Sequence, residues 1–334
     1  MKKALFFEKL ENNKVRCLLC PHNCLIAEGQ TEICGVRKNF NGELFATSFG
    51  KISAMHSDPI EKKPLYHYFP GASIFSIGSI GCNLKCKFCQ NYQISQCIDD
   101  DFQSLKNITS TEIISISKNV KNNIGIAYTY NEPTIWFEFM LETADKAKEN
   151  NLKNVMITNG FINKKPLLEL LNFIDAFNVD LKSFSENFYK NITSSKLEPV
   201  KETLKTIRNS GKHLEITKLI IPTLNDDERK FEEMICWIKN ELGENTVLHL
   251  SKYFPNYKMN ISETPDSTMN NLFHIAKNQL KYIYLGNMFS SVGNDTCCAN
   301  CGKKVIRRNG YHTENIALKD GKCKYCGNTI LEYF

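Results

Sequence analysis

Between residues 73 and 290, short apolar runs alternate with stretches of helical period. The runs are Ile74–Ile80, Ile124–Tyr130, Val155–Thr158, Phe177–Leu181, Leu214–Ile221, Val247–Leu250 and Tyr282–Leu285. They are rich in β-branched and aromatic residues and flanked by turn formers, which predicts buried strands. Helices are predicted between them. Thr109-x-x-Glu112 reads as a capping box for a helix with Ile113, Ile116 and Val120 on one face. Pro133 suits the first turn of a helix carrying Ile135, Phe139 and Ala144, and Pro166 that of another through Leu170 and Phe173. Leu204 and Ile207 mark a helix that Gly211 ends; Asp226-Asp-Glu-Arg229 opens one with Phe231, Ile235 and Ile238, closed by Gly243. Such βα alternation predicts an α/β fold with a parallel sheet. Its length suits an open or partial (β/α)6 barrel with a weaker seventh strand, a flat doubly wound sheet being the alternative.

The flanks break this rhythm and divide the chain into residues 1–72, 73–290 and 291–334. In the first, Asp58–Gly71 carries three prolines and closes on Pro70-Gly71, an extended and turn-rich approach to the first core strand. Composition changes little: 334 residues, 42% hydrophobic and 23% charged, describe an ordinary globular protein. A net charge of +6 is spread along the chain, so no basic tract argues for a nucleic-acid partner. No apolar run is long enough for a membrane span, and Met1–Glu8 is too short for a signal peptide, which predicts a cytoplasmic, reducing setting.

Cysteine changes the picture more. Fourteen are present, and eleven fall into three groups: Cys17, Cys20, Cys24 and Cys34; Cys82, Cys86 and Cys89; Cys298, Cys301, Cys323 and Cys326. In a reducing compartment such grouping argues for metal rather than disulfides. The outer groups each supply four thiolates. Two C-x2-C-Gly knuckles at the carboxyl terminus fit a closed tetrahedral site for zinc, or iron as in rubredoxin. The amino-terminal four fit one metal ion or a second cluster, with His22 read as solvated. The middle group, Cys82-Asn-Leu-Lys-Cys86-Lys-Phe-Cys89, is one ligand short. Three thiolates hold three irons of a cubane and leave the fourth open. Cys97, just beyond, reads as an ordinary thiol, and His56 and His67 as packing residues.

The cysteine loop follows the first predicted core strand, and other polar motifs follow later ones. They are Tyr130-Asn131-Glu132-Pro133, Thr158-Asn159-Gly160, Asp180-Leu-Lys182 and Ile220-Ile221-Pro222, with His249 on the sixth. In parallel barrels chemistry gathers at the carboxyl ends of strands, so one rim is the predicted site.

In this order the motifs resemble the radical S-adenosylmethionine (radical SAM) core, and more narrowly the pyruvate formate-lyase activating enzymes. The resemblance implies a [4Fe–4S] cluster on Cys82, Cys86 and Cys89, which cleaves SAM reductively to a 5′-deoxyadenosyl radical that abstracts hydrogen from a substrate. It further implies SAM-binding roles. Asn131 and Glu132 would serve the amino group, Thr158 and Asn159 the Thr-Asn-Gly motif, and Lys182 with Asp180 the carboxylate. Phe88 and Ile221 would pack on adenine, and His249 would stand near the methionine group. Both glycines of the family's Gly-Gly-Glu-Pro are replaced here. Over nearly the full length, Arg16–Cys24, Asp58–Gly71, Cys86–Asn91, Tyr128–Thr134 and Gly286-Asn287 resemble the AmmeMemoRadiSam-system radical SAM proteins. That implies Memo-like and AMMECR-like partners and an anaerobic oxidoreductase-type reaction driven by ferredoxin or flavodoxin. Alternatives are a glycyl-radical-enzyme activase and, outside catalysis, a metal-bound scaffold or zinc-ribbon binding protein.

Overall fold

A computed structural model describes residues 1–96, 105–290 and 292–334. Cys97 lies outside the described residues. Eight strands form the central sheet: β1 (Ala54–Pro59), β2 (Ser73–Gly78), β3 (Asn123–Tyr128), β4 (Lys153–Thr158), β5 (Ala176–Asp180), β6 (His213–Ile220), β7 (Val247–Lys252) and β8 (Ile283–Gly286). Their spatial order is their chain order. β2 to β8 run parallel, and β1 is antiparallel to β2. Seven parallel strands therefore stand where six and a weaker seventh were expected. A sequential parallel order with right-handed crossovers puts every helix on one face, and the sheet curls into an open barrel. The doubly wound alternative is excluded, because its strand order reverses partway.

The longer helices are α1 (Ser110–Lys118), α2 (Phe137–Glu149), α3 (Lys164–Leu170), α4 (Leu197–Asn209), α5 (Glu228–Leu242) and α6 (Asp266–Lys277). Thr109 and Glu112 form the expected reciprocal capping box on α1. Asp227 caps α5 by accepting from the Lys230 amide, and Gly243, at φ 98°, closes it. Pro133 opens a short 3-10 turn, Pro133–Trp136, that leads into α2. The outer core between helices and sheet includes Phe75, Ile77, Ile126, Phe139, Met156, Phe177, Val179, Leu204, Ile216 and Ile235, all buried.

The other face of the sheet is filled from the flanks. Ile60, Leu65 and Tyr68 pack on Ile74, Ala127, Val155 and Ala176, with Tyr333 behind them. Small side chains on β3 and β5 make room for the buried ring of Tyr68. The carboxyl-terminal module is a three-stranded sheet (Thr296–Cys297, Lys304–Asn309, His312–Asn315) and a small hairpin (Leu318–Lys319 with Lys322–Cys323). It packs Val305, Ile306 and Leu331 against Val247, Tyr282 and Tyr284. No described helix is long and apolar enough to cross a membrane.

Candidate active site and metal centres

The cysteine loop leaves β2 at its carboxyl end. Gly81, at φ 79°, turns the chain there, and a Cβ on it would lie 2.5 Å from the Cys34 carbonyl oxygen. Asn131, just past β3, pins this corner: its amide accepts from Ser79 N–H (3.1 Å) and donates to Gly81 C=O (3.0 Å). The loop's far side is tied to the segment after β5, through Lys85 N–H to Thr193 C=O and Lys87 N–H to Ile192 C=O. The three sulfurs sit among donors. Leu84 N–H donates to Cys82 Sγ (3.3 Å), Asn159 Nδ2 approaches it at 3.8 Å, and Ser95 Oγ lies 3.1 Å from Cys89 Sγ. Burial pushes the Cys82 and Cys86 thiols up, Cys86 to about 12 with Lys182 opposing the shift. Metal coordination resolves that conflict, since a bound thiolate shares its charge with iron.

The spacing of the sulfurs tests what fits. Around a tetrahedral zinc, sulfurs at about 2.3 Å from the metal stand roughly 3.8 Å from one another. The carboxyl-terminal group meets this: Cys298 and Cys326 sulfurs are 3.5 Å apart, those of Cys301 and Cys323 3.8 Å. Among the described residues it alone brings three or more Cys, His, Asp or Glu ligand atoms within 4.8 Å of one another. The sulfurs of Cys82, Cys86 and Cys89 are not gathered in this way. Three thiolates without a fourth suit a cubane, in which each would bind a different iron. The donor set fits a [4Fe–4S] cluster.

Around the loop stand the strand ends. Lys182 Nζ pairs with Asp180 (2.9 Å) and lies 5.8 Å from the Phe88 ring centre. Burial works against its charge, and Asp180 and Cys86 outweigh it, so Lys182 stays firmly protonated. Phe88 is buried beside Phe188, and Ile221 is buried with its N–H given to Asn225 (2.7 Å). Thr158 and Asn159 close the end of β4. Asn159 Nδ2 donates to Asn83 Oδ1 (2.8 Å), and Asn83 in turn donates to Phe161 C=O (2.7 Å).

Two expected site residues are occupied differently. Glu132 is 2% exposed, and its carboxylate accepts from Thr134 N–H (3.0 Å), Thr158 Oγ1 (2.7 Å) and Asn159 N–H (2.8 Å). It staples β3 to β4 and turns its oxygens to the protein. His249 is not at a strand end, because β7 continues to Lys252. Its Nε2 donates to Glu215 (2.6 Å), and its ring stacks on Tyr284. Glu215 also accepts from His213 Nε2 and from the amides of Tyr66 and His67. Four donors hold it ionised, well below the usual carboxylate range despite full burial.

Sequence reasoning missed Asn83, Asn225, Ser95 and Asp58. Asn225 donates to the Lys182 carbonyl (2.7 Å) and thereby sets that side chain's base. Asp58 takes Lys62, Lys63 and the Tyr130 hydroxyl, fixing the strand-end Tyr130 at φ 70°. Asn83 and Asp58 lay in stretches already singled out, whereas Asn225 and Ser95 did not.

Comparison with known proteins gives the arrangement a lineage. The Radical SAM superfamily profile matches residues 76–235. Uncharacterized protein MJ0808 of Methanocaldococcus jannaschii is 41% identical over 99% of both chains. The pyruvate formate-lyase-activating enzyme of Clostridium pasteurianum is 24% identical, over 52% of this chain and 75% of its own. A radical SAM methyltransferase from Sphaerobacter thermophilus shares the fold, with a TM-score of 0.53 at 13% identity over 71% of each chain. An open parallel barrel with a three-cysteine loop at the end of its first parallel strand is what this match accounts for, and with a [4Fe–4S] cluster and SAM as its cofactors the chain belongs to the radical SAM superfamily.

Proposed function

We propose that this enzyme acts on a small-molecule substrate in company with Memo-like and AMMECR-like proteins, taking its electron from a ferredoxin- or flavodoxin-type donor. When bound, the [4Fe–4S] cluster and SAM supply reductive cleavage to methionine and a 5′-deoxyadenosyl radical that abstracts hydrogen. The chain supplies position and charge. Cys82, Cys86 and Cys89 would hold three irons. Lys182, kept protonated by Asp180, is the cation for the SAM carboxylate. Phe88 and Ile221 offer apolar surface for the adenine. Glu132 acts through Thr158 and Asn159, and Asn159 reaches Cys82. The observation that carries the reading is the three-cysteine loop at the carboxyl end of β2, with Lys182 paired to Asp180 and lying over Phe88 of that loop.

The test is Cys82→Ala in anaerobically reconstituted protein. Production of 5′-deoxyadenosine should fall to background; undiminished production would sink the assignment.

A second reading, activation of a glycyl radical protein, is favoured by the similarity to pyruvate formate-lyase-activating enzyme. That similarity covers about half of this chain, whereas MJ0808 covers the cysteine-rich flanks as well. The small-molecule reading rests on those flanks. Anaerobic EPR of a candidate partner protein separates the two: a glycyl radical doublet appears only under the second.

A further inference from the structure

Cys17, Cys20, Cys24 and Cys34 come from separate turns of the amino-terminal segment and line one cavity, together with His22, Arg37 and Asn83. Cys17 ends the strand Val15–Cys17, whose partner Leu25–Ile26 returns just past Cys24; Cys34 enters from a later loop. Three observations bear on what the cavity holds.

The first is the donor set. Four thiols, and no other titratable ligand but His22 and Glu32, line this one cavity. Among the described residues, their sulfurs are not drawn together around a single ion as the carboxyl-terminal four are. The second is charge. Arg37 is 1% exposed, and its Nη2 is bound to Glu138 (2.7 Å), but its Nε and Nη1 have no hydrogen-bond partner. Leaving a buried charged donor unpaired costs about 1–3 kcal/mol or more. Four neutral thiols offer Arg37 only weak acceptors, whereas a thiolate-ligated iron–sulfur cluster is anionic and carries several sulfur acceptors. The third is position. The Cys34 carbonyl lies against Gly81, the residue before Cys82, and His22 Nε2 donates to the Asn83 carbonyl (2.8 Å). The cavity therefore backs directly onto the Cys82 loop.

We propose that Cys17, Cys20, Cys24 and Cys34 hold a second four-iron cluster, with Arg37 facing it, immediately beside the cluster on Cys82, Cys86 and Cys89. The adjacency rests on the radical SAM reading; the second site itself does not.

The experiment uses the full chain, reconstituted anaerobically, with iron, sulfide and zinc analysis and Mössbauer spectroscopy. Wild type should hold about eight irons and eight sulfides in cubanes, and about one zinc. The Cys82→Ala/Cys86→Ala/Cys89→Ala variant leaves the amino-terminal site intact and should keep about four irons with equal sulfide. No cubane iron in it, or a second zinc in its place, would overturn the proposal. Retention of all eight irons would instead overturn the assignment of the Cys82 loop. The Cys20→Ala/Cys24→Ala variant should lose four irons and keep its zinc; unchanged iron would also refute the second site. In wild type, two reduced clusters this close should broaden one another's EPR signals, and either variant should leave an isolated, narrower one.

Discussion

Glu132 shows how a residue can belong to a site without facing it. Three donors converge on its carboxylate from two strand ends, while burial pushes its pKa up. Glu132→Ala leaves those donors unpaired in a dry corner, and each such group costs about 1–3 kcal/mol. A loss of roughly 3 kcal/mol or more in denaturant unfolding is expected, with Glu132→Gln milder because its amide oxygen still accepts. A wild-type midpoint for Glu132→Ala with lost SAM affinity would mean the carboxylate serves the ligand directly. The residue's importance was legible in the sequence, because Asn-Glu-Pro follows a strand. Its orientation was not, since that is decided by Thr158 and Asn159, over twenty residues later. Asn83 and Glu215 were illegible for the same reason: an asparagine in a loop or a glutamate on a strand reveals nothing until its distant donors are known.

Among the elements, strands were easiest to read, because their two-sided burial leaves continuous apolar runs. β1 escaped notice: His56, Ser57 and Asp58 break its run, as suits an edge strand that is half exposed. Helix α6 carried a signal that was passed over, with Met269, Leu272, Phe273 and Ala276 at helical spacing and all buried. The carboxyl-terminal module was legible as a metal site but not as a part of the barrel. Its attachment runs through Arg308. Nη1 donates to Thr296 (2.7 Å), Nη2 donates to the Tyr66 carbonyl (2.8 Å), and the guanidinium lies over the Tyr66 ring at 4.2 Å. Glu61, buried 4.0 Å away, completes the charge pairing. Breaking such a pair from one side costs about 3–5 kcal/mol. Arg308→Ala should therefore loosen the module while its four cysteines keep their metal. Limited proteolysis should then cut between residues 287 and 295, with zinc still bound to the released fragment. Equal resistance of variant and wild type would show that apolar packing alone holds the module.

At the scale of the whole molecule, the barrel's inner face joins all three segments, and the join is polar. His67 from the amino-terminal segment hydrogen-bonds Tyr284 on β8 (2.7 Å), which bonds Thr296 of the carboxyl-terminal module (2.7 Å). Glu215 on β6 accepts the His67 amide and both neighbouring imidazoles, His213 and His249. The groups facing His67 are thus Glu215, His213, His249, Tyr282, Tyr284 and Arg308. Burial outweighs the attraction of Glu215 and lowers the His67 pKa to about 3, from 6.5. The folded state therefore keeps this imidazole neutral while the unfolded chain takes up a proton below pH 6.5. Stability from this group is complete above pH 6.5 and is lost as pH falls towards 3, by at most about 1.4 kcal/mol for each pH unit. Glu215, also depressed, adds a loss of the same sign below its ordinary value near 4.5. Denaturant midpoints of wild type and His67→Gln, measured between pH 7.5 and 5, should converge on acidification, because only wild type has this proton to exclude. A difference that instead widened on acidification would mean that His67 is charged in the folded protein, and that the join between the segments is an ion pair with Glu215 rather than a neutral relay.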